Sequence, residues 1–133
     1  GRPVERGEAD VAALRAAQHA LQRGEDVLIF PEGTRIRTDD QPVEIHGGFA
    51  LIAQMGKARI LPMAVCGFRD VTPEGKKLMR PVTCWIAVGD ALDAKDAPQG
   101  LKRRERAQWV ENESLERMYA LRDALRAAHP GRF

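Results

Sequence analysis

The sequence has few groups on which a base could stack and almost no excess of positive charge. Aromatic residues make up 5% of its 133 residues, and 21 Lys and Arg stand against 19 Asp and Glu, a net charge of +2. Nucleic-acid recognition draws on a broad basic face and stacking platforms, so no nucleic-acid partner is expected. No apolar run approaches the about 18 residues of a membrane-spanning helix, and the sequence shows no secretory-leader pattern. Any membrane contact is therefore expected to be peripheral. The two cysteines, Cys66 and Cys84, are far apart and match no metal-ligand spacing, which predicts reduced thiols in a cytosolic protein and no metal site. Neither a GxxxxGK loop nor a GxGxxG turn occurs, so a nucleotide-binding α/β domain lacks its phosphate loop.

What is present suits one globular domain with a real core: 44% of residues are hydrophobic and 30% are charged. Val11, Leu14, Gln18 and Leu21 recur at helical spacing among five alanines, predicting a helix over 10–23 with Asp10 as its cap and Gly24 at its end. "DVLIF" (26–30) then reads as a parallel strand covered on both faces, half of a βαβ unit. Residues 31–46 form an aperiodic loop, and "GGFALIAQMG" (47–56) a short buried helix closed by Gly56. "RILPMAVCG" (59–67) predicts a strand that lies at an edge or is bulged at Pro62, because proline cannot donate to a ladder. "VTCWIAVG" (82–89) alternates as a strand, with Val82, Cys84, Ile86 and Val88 on the richer face. Leu115, Met118, Leu121, Leu125 and Ala128 make a helical stripe that Pro130 ends. The expected class is α/β, with flanking helices and a long C-terminal helix laid against the sheet.

In "VLIFPEGTRIR" (27–37) an apolar run ends abruptly in a polar, constrained cluster. Pro31 fixes one backbone angle, and Gly33 permits a close approach that a side chain would block. Glu32, Thr34, Arg35 and Arg37 are thereby expected at the carboxyl end of a strand, where α/β sheets gather ligands. Arginine forks make paired bonds to phosphate, and Glu32 can accept from a hydroxyl, so the set suits a ligand carrying both. The same residues also fit a surface loop in which Glu32 and Arg35 simply pair. Gly47 and Gly48 precede a helix whose free amides can face an anion, and His46 beside them can titrate near neutral pH.

"FPEGTR" (30–35) resembles the third conserved block of the glycerolipid acyltransferases, the group of lysophosphatidic acid and glycerol-3-phosphate acyltransferases. "PVERGEAD" (3–10) resembles the second block, in which an arginine, here Arg6, contacts substrate phosphate. "ARILPMAV" (58–65) resembles the fourth, associated with the acyl pocket, here around Pro62. The likeness runs from Val4 to Gly89 and implies a glycerol-3-phosphate acyltransferase-like domain over 1–98, with 99–133 as a helical extension. It further implies that Arg6, Glu32, Gly33, Thr34 and Arg35 bind the glycerol phosphate part of the acceptor. His46 stands where relatives often have a lysine, and Gly48 falls on the glycine that follows it.

The family's first block, a His followed after four residues by an Asp, has no counterpart in this chain. Five positions on from His19 and His46 stand Gly24 and Leu51, and no such position exists for His129. In the family that imidazole takes the acceptor's hydroxyl proton and the alkoxide attacks an acyl thioester. The resemblance places the block upstream of Gly1. It implies acyl transfer from acyl-CoA or acyl carrier protein to a glycerol phosphate or lysophospholipid, with no bound cofactor. The expected location is cytoplasmic, at the inner face of the membrane, and this chain alone is expected to be inactive. The alternative is a noncatalytic lipid-phosphate-binding module. The basic run "KRRER" (102–106) is expected to be a solvated helix face, and Trp109 to pack in the core.

Overall fold

The computed structural model describes residues 6–32, 48–71, 78, 79 and 81–133, the side chains of 6–10 and 70 excepted. Its elements are α1 (Arg6–Gln22), α2 (Phe49–Met55), β1 (Met63–Cys66), β2 (Trp85–Val88) and α3 (Arg103–Ala128). The strands form one antiparallel pair, with Ala64 opposite Ala87 and Val65 opposite Ile86. The α/β class and the long C-terminal helix are as the sequence implies.

The α1 helix starts earlier than its composition suggests. Asp10 lies inside it, not at its cap, because the helix begins at Arg6. Gly24 ends it as expected. It takes φ +82°, while Glu25 N–H bonds Ala20 C=O at 3.0 Å and Gly24 N–H bonds Leu21 C=O at 3.0 Å, the paired closure of a left-handed C-terminus.

The corresponding position after α2 is Lys57, not Gly56. Lys57 has φ +53°, and Ala58 N–H reaches back to Ala53 C=O at 2.8 Å. Gly56 serves another purpose: a Cβ there would lie 2.8 Å from Leu21 Cβ. At the other end of α2, a Cβ on Gly48 would meet Leu14 Cδ1 at 3.9 Å. Leu14 and Leu21, two turns apart on α1, thus meet the two ends of α2 in order, so the helices run side by side in the same direction.

The expected parallel strand over 26–30 does not form. These residues belong to no strand, and Leu28 and Phe30 are 72% and 68% exposed. A strand exists only where a neighbour completes its ladder, and among the described residues no third strand stands beside it. With it goes the βαβ half-unit.

Pro62 interrupts the ladder as anticipated. Its C=O accepts from Gly89 N–H at 2.9 Å, but it has no N–H to return. The pairing resumes between Ile60 and Leu92, so Leu61 faces both Asp90 and Ala91 and the opposite strand carries one extra residue, a bulge.

The α3 helix covers the hairpin face that bears Ala64, Cys66, Trp85 and Ala87 and meets α2 at the core of Phe49, Ala50, Leu92, Ala107 and Val110. The richer apolar face of β2 is therefore the outer one: Ile86 and Val88 are exposed, because the smaller Ala87 lets the helix approach closely. Trp109 and Leu115 pack on the core, whereas Ala128, at the end of the expected stripe, is exposed where the helix runs out past it. Ser114 is buried and bonds Val110 C=O at 2.6 Å, which satisfies its hydroxyl within the helix. The basic run is solvated from Lys102 to Glu105, and Glu105 accepts from Lys102 N–H at 3.2 Å at the start of α3.

Beyond α3 the chain turns back onto the end of the hairpin where β1 stops and β2 begins. Gly67 N–H bonds Phe133 C=O at 3.0 Å, the Cys66 thiol donates to Arg132 C=O at 2.9 Å, and Arg132 Nη2 donates to Thr83 C=O at 3.1 Å. His129 stacks on Trp85 with ring centroids 3.9 Å apart. Cys66 and Cys84 are both free thiols.

Candidate functional site

Three of the residues singled out by the sequence are placed by the described backbone and side chains, and they sit on three different elements. Glu32 follows the irregular 25–30 segment in a turn and is half-buried. Gly48 takes φ +94° immediately before α2, a conformation that side chains rarely adopt, and it is packed against Leu14. Pro62 is buried at the entry to β1, against Gly89. Arg6 starts α1, but its side chain, like Gly33, Thr34, Arg35, Arg37 and His46, lies outside the described residues.

Glu32 has a neighbour that the sequence did not point to. The Tyr119 hydroxyl on α3 is pushed above its ordinary pKa, first by burial and then by the negative charge of Glu32, with Arg122 opposing. The Arg122 guanidinium lies over the Tyr119 ring, 4.7 Å from its centroid, and is held there by two bonds to Asp123 Oδ1 at 3.0 and 3.1 Å. The negative charge of Glu32 thus acts on Tyr119 of α3. The available signal was modest: Tyr119 is the chain's one tyrosine and sits beside Met118 in the apolar stripe, where a phenol brings a polar end into a packed face.

The same helix reaches the other placed residues. A Cβ on Gly89 would lie 3.2 Å from Leu121 Cδ1 and 3.3 Å from Pro62 Cγ, so Pro62, Gly89 and Leu121 form one packed apolar step. Among the described residues no three His, Cys, Asp or Glu side chains are grouped to hold a metal, and no helix is long and apolar enough to cross a membrane.

Comparison with known proteins bears on the same segment. A family model described as Acyltransferase matches residues 1–66. The 1-acyl-sn-glycerol-3-phosphate acyltransferase of Bacillus subtilis (strain 168) is 34% identical over 94 residues, covering 71% of this chain and 44% of that protein. Its counterpart in Streptococcus pneumoniae (strain ATCC BAA-255 / R6) is 35% identical over 66 residues, covering 49% of this chain and 23% of that one. The crystal structure of the 1-acyl-sn-glycerophosphate acyltransferase from Thermotoga maritima superimposes with a TM-score of 0.59 at 25% identity, covering 84% of this chain and 46% of that one. This chain thus spans less than half the length of each of these proteins. The structural likeness takes in more than the 86 of 133 residues between Val4 and Gly89.

Proposed function

The chain belongs to the lysophosphatidic acid acyltransferase-like family of glycerolipid acyltransferases, and on that premise we propose that it supplies the acceptor-binding part of an O-acyltransferase. The acceptor is a glycerol phosphate or lysophospholipid, and the donor an acyl thioester of coenzyme A or acyl carrier protein. "FPEGTR" carries the reading. Arg35 and Arg6 pair with the acceptor phosphate, where forked charge-assisted bonds contribute about 1.5–3 kcal/mol each. Glu32 accepts from an acceptor hydroxyl, and Gly33 and Thr34 allow the headgroup to approach the backbone. Gly48 and His46 border the same headgroup, and Pro62 the acyl chain.

Chemistry at the hydroxyl requires a base to take its proton as the oxygen attacks the thioester carbonyl, after which the thiolate leaves and the proton is returned to solvent or thiol. No His of this chain stands five positions before an Asp. The base therefore comes from a segment that this chain does not contain, and the chain alone turns over nothing. The exposed outer face of the hairpin, with Val65, Ile86 and Val88, and the exposed Leu28 and Phe30 support a fold completed by more polypeptide. A thioester is already activated, so no resident cofactor or metal is called for.

The test is acyl transfer from labelled acyl-CoA to lysophosphatidic acid. The chain by itself is expected to be inactive, and to gain activity when co-expressed with a segment carrying a family His and Asp at their spacing. Lysophospholipid binding without turnover in that pairing identifies the chain instead as a noncatalytic lipid-phosphate module.

A further inference from the structure

Tyr119 ends in a polar group that the described packing leaves unused. Its side chain is half-buried, and the Arg122 guanidinium lies over the ring, 4.7 Å from the centroid, which fixes where the ring sits. Among the described residues the hydroxyl has no hydrogen-bond partner. Phenols carried into a packed face normally find one, so this donor is left for water or a ligand.

Its place on α3 favours a ligand. Leu115 stands one turn earlier on the same face of the helix and packs against the core of Phe49, Ala50, Leu92, Ala107 and Val110. Phe49 and Ala50 open α2 directly after Gly48, which the proposed function sets beside the acceptor headgroup. The charge of Glu32 reaches Tyr119 as well, and a unit charge acts in this way only over a short range. Burial and that charge both keep the phenol protonated, so it is a donor, whereas an ionised carboxylate only accepts. An alcohol does both. One hydroxyl oxygen can therefore accept from Tyr119 while its own proton is donated to Glu32.

We propose that Tyr119 is a further acceptor-binding residue, donating to the oxygen of the acceptor hydroxyl that in turn donates to Glu32. The inference rests on the proposed function, which gives Glu32 that hydroxyl, and deepens it: the site reads the alcohol of the acceptor as well as its phosphate. Tyr119 lies outside residues 1–66, so the long C-terminal helix contributes to selectivity from beyond the stretch that the family model matches. A donor and an acceptor aimed at one hydroxyl discriminate against an analogue that lacks it, because both are then left unpaired.

Titration calorimetry of the 133-residue chain with glycerol 3-phosphate and with propyl phosphate, which keeps the phosphate and lacks the hydroxyls, tests it. The native chain is expected to bind glycerol 3-phosphate about tenfold or more tighter than propyl phosphate. Tyr119→Phe removes only the hydroxyl. It is expected to weaken glycerol 3-phosphate binding by about three- to tenfold and to leave propyl phosphate binding unchanged. Arg35→Ala, by contrast, is expected to weaken both ligands alike, since both carry the phosphate. Glycerol 3-phosphate binding that survives Tyr119→Phe at full strength overturns the inference and leaves the acceptor reading standing. An equal loss for the two ligands in Tyr119→Phe also overturns it, because that pattern marks a structural role. Failure of the native chain to bind either phosphate overturns the acceptor reading and this inference with it.

Discussion

Leu21 of α1 stands so close to Gly56 at the end of α2 that a Cβ on the glycine would fall 2.8 Å from Leu21 Cβ and 3.0 Å from its Cδ1. Gly56 has φ −84°, an ordinary angle for any residue, so only the neighbour forbids a side chain. Gly56→Ala is expected to destabilise the chain by about 1–3 kcal/mol through overpacking. Urea unfolding checks this. Leu21→Gly, which removes the Cβ that the new methyl would meet, should cost less in the Gly56→Ala background than alone, a non-additivity that distinguishes a steric clash from a general loss of helix stability.

Tyr119 gives a direct spectroscopic view of the turn at Glu32. As the chain's one tyrosine, it alone produces a phenolate absorbance in a pH titration. Its midpoint is expected above the ordinary value of about 10. Glu32→Gln should lower the midpoint and Arg122→Gln should raise it, following the direction in which each charge acts. A pKa raised in the folded state stabilises the fold below the unfolded value, and that contribution is lost as pH rises through the folded one. Stability should therefore decline in alkali from about pH 10 upward.

The thiols report on the C-terminal residues. Cys66 has no exposed surface and donates to Arg132 C=O, whereas Cys84 is only half-buried. Alkylation of the native chain should modify Cys84 first. Removing residues 129–133 should raise the Cys66 rate by about tenfold or more, because its protection then depends on no fold-back contact. Equal rates for the two cysteines in the intact chain would show that the tail does not seal this end.

Local chemistry in the sequence translated well into structure where it depended on nearby residues. Gly24 terminates α1, Pro62 breaks a ladder with a bulge beside it, and the stripe from Leu115 to Leu125 lies along a single long helix. Readings failed where the answer depended on a distant partner. "DVLIF" has the composition of an interior strand, but composition cannot provide the neighbouring strand, and Leu28 and Phe30 remain exposed. Gly56 looked like a helix terminator, yet it is there for Leu21, while Lys57 takes the left-handed turn. β2 was legible as a strand but not its buried face, because the fit of α3 over Ala64 and Ala87 outweighs the greater hydrophobicity of Ile86 and Val88. Of the site, Glu32, Gly48 and Pro62 are placed, whereas Tyr119 needed the fold to bring α3 beside the loop.

Under the proposed function Arg6 and Arg35 pair with the acceptor phosphate, so the discriminating measurement compares acceptors that differ by that group. With the chain co-expressed with a segment carrying a family His and Asp at their spacing, initial rates of acyl transfer to lysophosphatidic acid and to monoacylglycerol are measured for the native protein, Arg35→Ala and Arg6→Ala. The account predicts a strong native preference for lysophosphatidic acid that drops by about 10- to 100-fold in either variant, the loss of one charge-assisted pairing. A preference left unchanged by both substitutions would contradict it.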